Sequence, residues 1–184
     1  MKRYLFFTLF LCFLFLMNWI VKAQDKTQTE TDTDPKAFEE IDKIISTFYN
    51  SISGEQGKKR DWKQFQSLFL PQARLIPSGS TDENGKFRIH AITVDDFIMS
   101  SAEWFAENGF HHNEIFRKVD YFSHLAHVTS TFESRYNPDE AVFSRGIYSF
   151  QLFHDEERWW IVNVYWATEN DLFPIPEKYL PASN

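Results

Sequence analysis

The stretch "GFHHNEIFRKV", residues 109–119, holds the residue types most able to do chemistry. His112 and Glu114 are two apart, so on a β-strand they project from one face, as a metal site or an acid/base centre requires. His127 would complete a two-histidine, one-carboxylate set if its strand paired in the right register. A metal site needs three ligands converging from different elements. The six histidines (90, 111, 112, 124, 127 and 154) are spread over several segments and read more simply as surface residues, so neither a metal nor a cofactor is expected.

Glu114 is then the candidate general acid/base, with Arg117, Arg135 and Arg145 as possible charge partners. Strict alternation puts Glu114 and Arg117 on opposite faces, and they meet only if a bulge intervenes. Near the C-terminus, Trp159, Ile161, Asn163 and Tyr165 alternate with Trp160, Val162, Val164 and Trp166. An amide and a phenol on one face would orient a ligand in an apolar pocket. Ser130 and Thr131 offer hydroxyls to opposite faces. Phe132, Tyr148, Trp104 and Arg117 join Asn163, Tyr165 and Ser130 in the expected pocket lining.

Covalent catalysis has little to use. The single cysteine, Cys12, lies in an apolar run, and no Ser/His/Asp arrangement stands out. That run, Tyr4 to Val21, follows Met1, Lys2 and Arg3 and precedes Val21, Lys22 and Ala23, the order of a cleavable secretory signal over residues 1–23. Export follows, with no stable membrane insertion after cleavage. The alternative is a membrane anchor formed by the uncleaved signal. Cleavage removes Lys2, Arg3 and Lys22, leaving 16 Lys+Arg against 26 Asp+Glu, a sign that disfavours nucleic acid. Residues 24–35 are polar and read as a disordered linker. What remains suits one domain, over 36–172, with a C-terminal tail at 173–184.

Phe38, Ile41, Ile44, Ile45, Phe48, Tyr49 and Ile52 make one apolar stripe of a helix begun at Asp34 and Pro35. "DWKQFQSLFLP" reads as a second helix, capped by Asp61 and stopped at Pro71. A third starts at a capping box of Thr93 and Asp96 and closes at Gly109. "ARLIP" and "KFRIHAI" read as short strands. Residues 111–119, 124–136, 142–153 and 158–168 read as a meander of long strands. The order is ααββαββββ: an α+β fold with helices on one side of a curved antiparallel sheet, enclosing a cone-shaped cavity.

Five stretches, "DWKQFQSLFLPQARL", "GFHHNEIFRKV", "LAHVTSTFESR", "RGIYSFQL" and "RWWIVNVYW", occur in the order found in the nuclear transport factor 2-like superfamily. They resemble most a SnoaL-like bacterial subgroup of undefined function, over residues 37–168. The resemblance implies the cone-shaped, cystatin-like fold, Glu at 114 and Arg at 117, and a homodimer through the sheet. It does not extend to His111 and His112, nor to the catalytic sets of the superfamily's isomerases and cyclases.

The sequence therefore predicts an exported single-domain protein with a cavity for a small, largely apolar ligand, non-enzymatic or of undefined role. Isomerase, dehydratase or cyclase chemistry with Glu114 as general acid/base is the alternative, Asn163 and Tyr165 stabilising the oxyanion. A dimerising structural module with a filled cavity is the third reading.

Overall fold

In the computed structural model of the chain, residues 34–79 and 82–182 are described. The expected signal and most of the linker fall outside them. No helix among the described residues is long and apolar enough to cross a membrane. From Lys36 onward the described residues form one compact unit.

Helix α1 (Pro35–Ile52) buries Ile41, Ile44, Ile45, Phe48, Tyr49 and Ile52, the stripe its periodicity requires. Helix α2 (Trp62–Ser67) is capped by Asp61, whose carboxylate accepts the Gln64 amide at 2.8 Å. It ends at Ser67, short of the Pro71 stop that the sequence pattern predicts. Phe69 instead opens strand β1 (Phe69–Pro77), because the Leu68 carbonyl accepts from Ile161 at 2.8 Å and Phe69 pairs with Ile161. Pro71 is tolerated there on the outermost strand of the sheet. Helix α3 (Val94–Glu107) opens on the predicted capping box of Thr93 and Asp96. Gly109 follows it for a different reason from a helix stop: a Cβ there would lie 2.1 Å from the Tyr136 carbonyl oxygen.

Strands β2 (His111–Phe122), β3 (Leu125–Arg135), β4 (Ser144–His154) and β5 (Trp159–Thr168) form the antiparallel meander. The sheet order is β1-β5-β4-β3-β2, with β1 parallel to β5. Two expectations are corrected. The sheet is mixed, since the free edge of β5 takes up β1 in parallel. "KFRIHAI" is not a strand: it supplies isolated bridges at Phe87 and at Ile92, the latter to Leu75, and leaves Phe87 and Ile89 exposed. The observed order is ααβαββββ.

The core lies between the helices and one face of the sheet. That inner face carries Val128 and Phe132 of β3, Tyr148, Phe150 and Leu152 of β4, and Ile161 and Val164 of β5, all buried. The outer face is more polar, and the C-terminal residues cross it. A 3-10 turn (Glu177–Tyr179) lies over Thr131, whose hydroxyl donates to the Tyr179 carbonyl at 2.6 Å. Thr131 is fully buried as a result.

Candidate site on the inner face of the sheet

Glu114 faces the core, and a bulge puts Arg117 beside it. Glu114 pairs with Phe132 and Phe116 with Thr131, so Ile115 is an extra residue in β2. Arg117 consequently lies opposite Ser130, on the inner face with Glu114. Its Nε donates to both Glu114 oxygens, at 2.8 and 3.0 Å, and one terminal nitrogen also donates to Glu114. The other terminal nitrogen donates to Asp42 of α1. Burial works against the Arg117 charge, but the Glu114 and Asp42 carboxylates outweigh it and raise its pKa above the ordinary value.

A chain of hydroxyls leads inward from Glu114. Ser130 donates to Glu114 Oε1 at 2.5 Å and shares a 2.7 Å hydrogen bond with the Tyr49 phenol. Burial foremost pushes the Tyr49 pKa well above its ordinary value, so the phenol stays protonated.

His112 sits deeper and is 3% exposed, contrary to the reading of the histidines as surface residues. Its ring lies between Phe110 and Tyr49, with centroids 4.9 and 5.0 Å away. Nδ1 shares a 2.8 Å hydrogen bond with Ser134, and Nε2 one of 3.0 Å with the Tyr148 phenol. Desolvation holds the imidazole pKa down at about 3, so it is neutral at pH 7. Burial raises the Tyr148 pKa. The hydroxyls of Ser134 and Tyr148, each both donor and acceptor, serve either tautomer of the ring. No local pattern marks His112 as buried; the long-range pairing of His112 with Ser134 does so. Gly146 completes this wall, since a Cβ there would lie 2.6 Å from the Phe132 ring.

The structure thus brings Glu114, Arg117, Ser130, Phe132 and Tyr148 together, and it separates three other residues from them. Asn163 and Tyr165 project from the outer face. Asn163 donates to Gln151 at 3.0 Å, and Tyr165 pairs with Ser149. The cause is a second bulge: Gln151 pairs with Asn163 and Leu152 with Ile161, so Val162 is extra. Trp159 and Ile161 point inward before it, Val164 after it, and Asn163 is turned out. Trp104 lies at the margin of α3, 41% exposed, against Phe105, Phe110 and Tyr136.

His127 also lies on the outer face, bonded to Ser149 at 2.8 Å. It cannot converge with His112 and Glu114. Among the described residues no group of three or more His, Cys, Asp or Glu side chains could hold a metal ion. Arg135 pairs with Glu133, and Arg145 with Glu169 at 2.5 Å.

Chemically, the site is an aromatic wall bearing two polar clusters whose members satisfy one another. Glu114 is held by three donor groups and both His112 nitrogens are engaged, so neither stands free as a base in this arrangement.

No family model matches the chain, and no curated protein does. Solved structures do. A protein of unknown function from Mycobacterium tuberculosis superposes with a TM-score of 0.60 at 10% identity, covering 78% of each chain. A provisionally assigned scytalone dehydratase from Novosphingobium aromaticivorans gives 0.55 at 16% identity, over 84% of this chain and 98% of its own. A nuclear transport factor 2-like protein of unknown function from Silicibacter pomeroyi gives 0.52 at 14% identity, over 74% and 99%. The fold is therefore the nuclear transport factor 2-like, cystatin-like fold.

Proposed function

We propose that this protein is exported and binds a small, largely apolar ligand without transforming it. The observation that carries the reading is the state of Arg117. Two of its three nitrogens are fixed from within by Glu114, and the third reaches the Asp42 carboxylate, which is 64% exposed. A preorganised guanidinium whose outer partner sits in water is an anchor for an acceptor on an incoming ligand, which displaces Asp42. Behind it stands the buried aromatic wall of Phe132 and Tyr148, an apolar backing for the anchor. Glu114, engaged by Arg117 and Ser130, serves here to hold the arginine. Export rests on the basic, apolar and small-residue order of residues 1–23.

One observation favours the second reading, an isomerase, dehydratase or cyclase. The hydroxyls of Tyr49 and Ser130 line up on Glu114, a route by which a proton reaches or leaves the carboxylate. Asn163 and Tyr165 face the wrong way to take part in that reaction. The structural module remains as the third reading, supported by how far His112, Phe132 and Tyr148 fill the interior; the tail over Thr131 occupies part of the face its dimer would use.

Glu114→Gln separates the first two. As a binder, the variant keeps ligand affinity within a few-fold and wild type turns over no candidate carbon acid. Loss of a measurable wild-type turnover in the variant, with affinity intact, establishes catalysis instead.

A further inference from the structure

A separate cleft opens between α1, α2 and the turn joining β4 to β5, with a volume of about 380 Å³, within the range of small-ligand sites. Its floor is apolar, made by Ile44, Leu68 and Trp159, all buried. Its rim carries both signs of charge. Lys43 stands on α1 and Glu157 on the turn, and the side chain of neither has an ion-pair partner among the described residues.

The floor and the adjoining turn each carry one unusual feature. The Trp159 indole N–H is buried with no hydrogen-bond acceptor. An orphaned buried donor carries a desolvation penalty that a partner would remove. Glu156, the residue before Glu157, has φ of 80°, a left-handed conformation that a side chain bearing a Cβ rarely adopts.

The turn is nonetheless held firmly. Asp155 accepts the Glu157 and Arg158 amides at 3.0 and 2.9 Å and the Trp160 indole N–H at 2.6 Å. Arg158 donates to the Ser67 carbonyl at 2.7 Å, which ties the turn to α2. These bonds fix the backbone of Glu157 and dock the turn on α2.

We infer that this cleft is a binding site for a small zwitterion of the amino-acid class. Its ammonium meets Glu157, its carboxylate meets Lys43, and its apolar side chain lies on the Ile44–Leu68–Trp159 floor. The site is distinct from the Arg117 anchor, which lies on the other flank of α1 with Asp42.

Calorimetric titration of the whole protein with L-leucine and L-phenylalanine tests this. The controls are N-acetyl-leucine amide, which has the side chain without either charge, and phenethylamine, which has the ammonium alone. Saturable binding of a free amino acid is expected, weakened about tenfold or more in each control and in Lys43→Ala and Glu157→Gln. No heat with any free amino acid at millimolar concentration overturns the inference. So does binding that the capped compound matches, or that Lys43→Ala and Glu157→Gln both leave unaltered.

Discussion

Glu114 and Arg117 meet across a single inserted residue. Ile115 is unpaired in the ladder between β2 and β3, and this turns two side chains three positions apart onto one face. The resulting ion pair is mostly shielded, its side chains 18% and 16% exposed. Removing one partner strands the other charge. Arg117→Ala should cost about 2–3 kcal/mol by urea unfolding, and Glu114→Gln about 1 kcal/mol, since the amide oxygen still accepts from arginine. In the double-mutant cycle Glu114→Ala with Arg117→Ala, the combined loss should fall clearly short of the sum. Strict additivity would show that the pair is not coupled.

His112 should make the protein acid-sensitive. Its pKa is about 3 in the fold against an ordinary 6.5, so the unfolded chain binds a proton that the folded chain refuses. The stabilisation is present in full above pH 6.5 and is lost as pH falls toward 3. From pH 7 to pH 5 this amounts to about 2 kcal/mol. In His112→Gln, which cannot titrate but keeps an amide beside Ser134 and Tyr148, the dependence should shrink by that amount. An equal pH dependence in the two proteins would assign the acid loss to other groups.

The same kind of feature explains what the sequence made legible and what it hid. The helical stripe of α1, the caps at Asp61 and Thr93, and the four long strands follow from period and turn chemistry, which are local. Both bulges lie in the long-range register. At β2 the two charges themselves stated the condition: Glu114 and Arg117 could pair only across an inserted residue. At β5 nothing polar flagged Val162, so alternation placed Asn163 with the inward Trp159 and Ile161, and the placement inverted. His112 escaped for a related reason. A histidine reads as polar, and only the arrival of Ser134 and Tyr148 from other strands makes its burial affordable.

Arg60 is a structural residue that no motif marked. Though 7% exposed, it donates to four backbone carbonyls at and beyond the end of α1: Ile52 at 2.9 Å, Gly54 at 2.7 Å, Lys58 at 2.5 Å and Glu55 at 3.2 Å. Arg60→Ala would leave these acceptors with fewer partners and should cost about 2–4 kcal/mol. Arg60→Lys should recover only part, since an ammonium cannot reproduce the planar fork. Chemical denaturation of the three proteins reads the difference; a neutral Arg60→Ala would mean water replaces the guanidinium at no cost.

The tail contact bears on assembly through the sheet. Thr131→Val removes the donor to the Tyr179 carbonyl and should loosen residues 177–182, seen as faster amide exchange there, with a stability loss of about 1 kcal/mol. Light scattering of the same variant reads whether the uncovered face then pairs. Unchanged exchange would show that other contacts hold the tail.

The central claim is that Arg117 anchors a ligand in place of Asp42. Native mass spectrometry of the gently purified protein, with Asp42→Ala and Arg117→Ala beside wild type, tests it most directly. A small organic acid should appear bound to wild type, at higher occupancy in Asp42→Ala, where the competing carboxylate is gone, and absent from folded Arg117→Ala. Bare wild type and bare Asp42→Ala, both also unmoved in Tm by apolar carboxylic acids at millimolar concentration, would contradict the account.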